Sequence, residues 1–126
     1  MERLARHLAG AALAALLAGA PAHAYDGPVE KKTFTLPGYT TVGGRTIADV
    51  RVGYETYGKL NAAGDNAIFV AHFYSGTSHA AGRYKAADAA PGYWDPIIGS
   101  GRAIDTDRYF VISADTLANL NTKDPN

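Results

Sequence analysis

Two short runs constrain this chain more than anything else in it. Ala67-Ile68-Phe69-Val70-Ala71 and Tyr109-Phe110-Val111-Ile112 are apolar or aromatic at every position. A strand with no polar face needs cover on both sides, the condition of a strand inside a mostly parallel sheet. A hairpin would join two such strands through about two to five residues. Here residues 72–108 lie between them, which suits a crossover connection. The pattern predicts a helix in that crossover, over Ala80–Ala90 or around Trp94–Ile98. Pro91, Pro96 and the glycines between Gly76 and Gly101 leave its ends open.

Upstream the pattern is that of antiparallel strands. Thr33–Leu36 is a β-prone run that Pro37-Gly38 is expected to stop, and Thr40–Val42 and Arg45–Ile47 flank a Gly43-Gly44 turn. From Asp49 the chain alternates. Val50, Val52 and Tyr54 form an apolar face, and Asp49, Arg51, Gly53 and Glu55 fall on the other, so a half-buried strand is expected. The Gly-, Asn- and Asp-rich stretch Gly58–Asn66 reads as a loop. Hairpin, buried strand, crossover and buried strand together define an α/β class, a mostly parallel sheet with an antiparallel edge. Two parallel strands leave a face and an edge uncovered, and Asp124-Pro125-Asn126 reads as a loop, so the sequence reads as the opening part of a larger domain.

The N-terminus has a separate logic. Arg3 and Arg6 precede an uncharged run from Leu8 to Ala18, then Gly19-Ala20-Pro21 and Ala22-His23-Ala24. A basic start, a short apolar core and small residues in A-x-A spacing are the parts of a secretory signal peptide. The run is short of the about 18 apolar residues that a stable membrane anchor requires. Residues 1–24 are therefore read as a signal cleaved after Ala24, residues 25–126 as the mature chain, and the destination as periplasmic or secreted.

Charge removes other classes. Lys plus Arg and Asp plus Glu each number 12, and no basic stripe stands out, which argues against nucleic acid as a partner. The absence of cysteine excludes disulfides and thiolate chemistry. No metal or cofactor is expected.

Several polar residues admit two readings. His72 and His79 could serve as base or metal pair, but a metal needs a third ligand, and a structural histidine anchoring the loop is the simpler reading. Ser75 or Ser78 could be a nucleophile beside either histidine, although neighbours in one loop rarely hold that geometry. Asp115 could line a site or cap a loop. Tyr84, Tyr93 and Trp94 read as packing residues rather than a stacking platform, and Asp105 and Asp107 as a solvated turn.

Several blocks resemble one known family. Val52-Gly53-Tyr54-Glu55-Thr56-Tyr57-Gly58-Lys59-Leu60-Asn61 resembles the YETYGxLN stretch of the homoserine O-acetyltransferases. Asp65-Asn66-Ala67 through His72 is similar to that family's NAVLVCHALTG segment. Gly92-Tyr93-Trp94-Asp95, Ile98-Gly99 and Ala103–Ile112 are similar to its GWWD…GPGKAIDTDRYFVI. The resemblance implies an α/β-hydrolase fold, of which this chain is the N-terminal part, and acyl transfer from a thioester to a hydroxyl through an acyl-serine. It also implies small-molecule partners, namely an acyl donor (acyl-CoA among them) with a hydroxyl acceptor, or an ester substrate. It allows a homodimer of the full-length protein.

The family's nucleophile sits in G-x-S-x-G on a strained turn, with acid and base following in chain order. None of Ser75, Ser78, Ser100 and Ser113 has glycine at both second neighbours, so the triad is expected beyond this chain, which alone is expected to be inactive. Where the family has HALTG, this chain has His72-Phe73-Tyr74-Ser75-Gly76, and where it has SNVLGG, Ala114–Asn119. The resemblance places an oxyanion-hole amide at the middle residue of HALTG, here Tyr74, with His72 and Gly76 supporting the loop. The alternative is that Phe73 and Tyr74 merely cover the sheet. Two other functions compete, a secreted α/β-hydrolase esterase and a small secreted β-rich binding module without catalysis.

Overall fold

The computed structural model describes residues 24–118, so the predicted signal, Ala24 apart, lies outside the described residues. Six strands form, β1 (Lys32–Thr40), β2 (Thr46–Tyr57), β3 (Ala67–Ala71), β4 (Ile98–Gly99), β5 (Ile104–Asp105) and β6 (Phe110–Ala114). The main sheet has the order β1-β2-β6-β3. β1 with β2 and β2 with β6 are antiparallel, and β3 with β6 is parallel, with Ala67 opposite Phe110 and Ala71 opposite Ala114. The two apolar runs are thus adjacent parallel strands joined by a crossover.

The first hairpin turns through Thr41–Arg45, closed by the Thr41 N–H to the Arg45 carbonyl at 2.8 Å, with Gly44 at φ 78°. Contrary to expectation, β1 does not stop at Pro37-Gly38. It pairs Leu36 with Val50 and then Gly38 with Ala48. β1 is an outer strand of the described sheet, where a proline's missing N–H is tolerated. The residue between the two pairs on β2, Asp49, takes φ 50°, a conformation open to Asp more readily than to most side chains.

The period of two in β2 holds, but the deeper face is the one with the charge. Gly53, Glu55 and Tyr57 are buried, while on the apolar face Val50 is buried and Val52 and Tyr54 are half-buried. The apolar face instead lines a groove of about 280 Å³ with Phe34, Ile112 and Ala114. The crossover lies against the Glu55 face, and the core there contains Val29, Tyr57, Val70, Ala80, Ala81, Ile98 and Val111.

The expected crossover helix is a second correction. Neither Ala80–Ala90 nor Trp94–Ile98 is helical; the segment consists of turns and the short parallel pair of β4 and β5. The competing partners explain this. The Ala80 and Ala81 amides donate to the Tyr57 hydroxyl, and the Gly82 amide donates to Asp95 Oδ1. The amides of Gly92, Tyr93 and Trp94 return to the carbonyls of Gly82, His79 and Ala80. A side chain at Gly92 would meet the Ala80 carbonyl oxygen at 2.6 Å, so only glycine allows this approach. Around Trp94 a single turn forms, with the Ile98 amide on the Trp94 carbonyl at 3.1 Å.

β3, read as a central strand, is the other outer strand of the described sheet, and Phe69 is 66% exposed. The loop before it is built by asparagines. Asn61 Oδ1 accepts the Gly64 and Asp65 amides, and Asn66 Nδ2 donates to the carbonyls of Lys59 and Arg108. Those contacts tie the starts of β3 and β6 together.

Candidate active-site cleft

Because β3 and β6 are parallel, their carboxyl ends open on the same side, where ligands bind in such sheets. A cleft of about 360 Å³ lies there, lined by His72, Tyr74, Thr116 and Ala118. On its β3 side the chain turns at Phe73–Gly76, closed by the Gly76 N–H to the Phe73 carbonyl at 2.8 Å. Gly76 is buried, and a Cβ on it would meet His72 Cβ and the Phe73 oxygen at 3.1 Å. His72 Nδ1 lies 2.6 Å from the Phe73 carbonyl, so that nitrogen is the donor, while Nε2 is buried with no partner among the described residues. Phe73 packs edge-on against Tyr93 at 5.3 Å. The Tyr74 side chain is 88% exposed and so does not cover the sheet.

Beneath the loop lies a buried polar cluster centred on Glu55, which is fully buried. Its Oε2 accepts from the Tyr57 hydroxyl at 2.7 Å and from His79 Nδ1 at 3.1 Å. Its Oε1 accepts from the Tyr84 hydroxyl at 2.5 Å and the Ser78 hydroxyl at 3.3 Å. A carboxylate only accepts, so the His79 proton in this contact sits on Nδ1. Burial pushes the Glu55 carboxyl up, but the hydrogen bonds from His79, Tyr84 and Tyr57 and the charge of His79 outweigh it, and the net shift is downward. Burial pushes the Tyr57 phenol up, and the neighbouring Glu55 carboxylate adds to this. Tyr57 stays a neutral phenol that donates once and accepts twice. His79 also stacks on Tyr84 with centroids 4.2 Å apart.

Asp115 closes the second side of the cluster. Its Oδ1 accepts the Ser78 amide at 2.6 Å, and its Oδ2 pairs with Lys31 Nζ at 3.0 Å. It therefore caps the loop. Ser78 is fully buried with its hydroxyl on Glu55, so it cannot meet a substrate as a nucleophile. Ser75 is exposed in the turn and makes no serine–histidine hydrogen bond among the described residues. His72 and His79 serve the loop backbone and Glu55 respectively, and no three His, Asp or Glu side chains gather for a metal among the described residues. Asp105 is a turn builder rather than merely solvated, since its Oδ1 accepts the Gly101 and Asp107 amides at 3.0 Å.

Glu55, Tyr57 and Tyr84 escaped the sequence reading as members of a cluster. One signal was present: Gly53, Glu55 and Tyr57 share a face at a spacing of two, and a lone acid on such a face marks either solvent or a buried network.

No family model matches the chain. It is 46% identical over 91 residues to a homoserine O-acetyltransferase of Carboxydothermus hydrogenoformans, an alignment covering 72% of this chain and 24% of that protein. The crystal structure of esterase E22 superposes with a TM-score of 0.74 at 61% identity, over 77% of this chain and 26% of that one. The homoserine O-acetyltransferase of Bacillus anthracis superposes with a TM-score of 0.68 at 53% identity, over 71% of this chain and 24% of that one. The chain spans about a quarter of the length of the curated relatives it matches.

Proposed function

From a chain whose aligned part is homologous to homoserine O-acyltransferases and to esterases of the α/β-hydrolase fold, we propose that the protein moves an acyl group through an acyl-serine intermediate and that this chain supplies one side of the oxyanion hole. The nucleophile, its acid and its base belong to sequence outside this chain, in keeping with the absence of G-x-S-x-G. The base takes the serine proton as the serine oxygen adds to the acyl carbonyl carbon, and the carbonyl oxygen becomes an oxyanion. The Tyr74 N–H donates to that oxygen, and the amide after the nucleophile gives the second bond. Collapse expels the donor's thiol or alcohol, to which the same base returns the proton. A hydroxyl acceptor or water then takes the acyl group. Acyl-CoA is the thioester donor in this reading.

One observation carries the proposal. Tyr74 lines the cleft at the carboxyl ends of the parallel strands, and its amide donates to no group among the described residues. A backbone donor is indifferent to the side chain above it, which accounts for tyrosine at a place where the resemblance has leucine. Water as acceptor is the second reading, prompted by the 61% identity to esterase E22. Export fits either reading. A chain trimmed after Ala24 keeps the core contacts described, beginning with Tyr25 edge-on against Tyr57 at 5.1 Å, and the product would be periplasmic or secreted.

The test uses the full-length protein with acetyl-CoA, with and without homoserine, and with p-nitrophenyl acetate. Transfer appears as CoA release that depends on homoserine, and hydrolysis as release of nitrophenol without it. Tyr74→Leu keeps the amide and should change turnover little. Tyr74→Pro deletes the amide and should lower kcat about a hundredfold or more. A proline variant that folds, binds substrate and turns over normally removes Tyr74 from the oxyanion hole.

A further inference from the structure

We propose that Asp115 is a positioning residue for the oxyanion loop, holding the Tyr74 turn at a set distance from the end of β6 through the Ser78 amide. This rests on the reading of Tyr74 given above. The hydrogen bonds of residues 73–77 among the described residues close between His72 and His79. The turn is therefore closed on itself by hydrogen bonds, and among the described residues it meets the crossover through the Phe73–Tyr93 ring contact. Asp115 Oδ1 on the Ser78 N–H, at 2.6 Å, is the first hydrogen bond beyond the turn that ties the loop to the sheet.

Asp115 suits that task because it is itself held by β2 and by Lys31 and is buried. Its N–H donates to the Gly53 carbonyl on β2 at 2.8 Å, its Oδ2 meets Lys31 Nζ at 3.0 Å, and it is only 7% exposed. It also immediately precedes Thr116 and lies three residues before Ala118, the two residues that form the opposite wall of the cleft. One carboxylate thus joins both walls. An oxyanion donor is effective only when aimed at where charge develops, and a displacement of about 1 Å can cost a hundredfold in rate. A flexible acceptor would not set that aim. A buried one held by β2 and Lys31 does.

The experiment compares Asp115→Ala, Asp115→Asn and Lys31→Met in the full-length protein, with Tyr74→Pro alongside, on p-nitrophenyl acetate. Asp115→Ala loses the acceptor and should lower kcat about tenfold to a hundredfold with KM changed less than about twofold. Asp115→Asn keeps an acceptor for the Ser78 amide and should restore kcat to within about threefold. Lys31→Met removes one of the contacts that hold the carboxylate and should lower kcat less than Asp115→Ala does, with KM again changed less than about twofold. Hydrogen exchange should quicken over residues 73–78 in Asp115→Ala and stay slow in Asp115→Asn, whereas a general loss of stability would quicken the whole sheet.

If Tyr74→Pro is inactive while folded Asp115→Ala keeps wild-type kcat, the positioning role is overturned and the oxyanion reading stands. If Tyr74→Pro turns over normally, the oxyanion reading fails first. Should Asp115→Ala not fold, Asp115→Asn decides: a folded variant that loses more than about tenfold in kcat overturns the proposal, and one that keeps kcat together with slow exchange over 73–78 supports it.

Discussion

Replacing Tyr57 by phenylalanine removes one oxygen and leaves the buried ring in place, so no cavity opens. That oxygen donates to Glu55 Oε2 at 2.7 Å and accepts the amides of Ala80 and Ala81 at 2.9 and 3.1 Å. All three partners are fully buried, where water cannot easily substitute. A buried amide without its acceptor costs about 1–3 kcal/mol, and a hydrogen bond to a charged group contributes about 1.5–3 kcal/mol. The two amides share one oxygen, so the losses overlap, and the total is about 3–6 kcal/mol. Against a whole-domain stability of about 5–15 kcal/mol that is a large fraction. Urea unfolding of the full-length protein at pH 7 should show a midpoint lower by 1 M or more, taking a slope of about 1–3 kcal/mol/M. Tyr54→Phe, on the half-buried opposite face of β2, is the control and should stay within about 0.5 kcal/mol of the parent. A Tyr57→Phe loss below about 1 kcal/mol at unchanged slope would show that the cluster does not hold the crossover on the sheet.

Two other outcomes follow from the same structure and sequence. The Glu55 carboxyl is shifted below its ordinary value of 4.5, so its charged form adds stability above that value, and the gain disappears as pH falls through the lowered folded pKa. Thermal melts between pH 7 and pH 3 should therefore show a flatter acid limb for Glu55→Gln than for the parent, and parallel limbs would refute the assignment. Mass spectrometry of exported protein should find Tyr25 at the N-terminus, and a retained Met1 in a cytosolic fraction would rule out the signal.

The architecture was legible where the physics is local. Ala67–Ala71 and Tyr109–Ile112 lack a polar face and stand too far apart for a hairpin, and β3 and β6 are a parallel pair joined by a crossover, although β3 is an outer strand of the described sheet with Phe69 exposed. Gly43-Gly44 marks its turn for the same reason, since only a few residues accept positive φ cheaply. Other features depended on atoms far apart in sequence. Apolar alternation in β2 pointed to Val50, Val52 and Tyr54 as the inner face, and Val50 is buried, yet the structure also buries Glu55 on the other face. No local rule reveals that Tyr57, Ser78, His79 and Tyr84 will converge to neutralise it. The crossover helix failed similarly, because the Ala80 and Ala81 amides found a better acceptor on β2 than their own segment could offer. Period and propensity belong to neighbours along the chain, whereas a buried charge is tolerated only through partners that the tertiary fold brings within 3 Å or so.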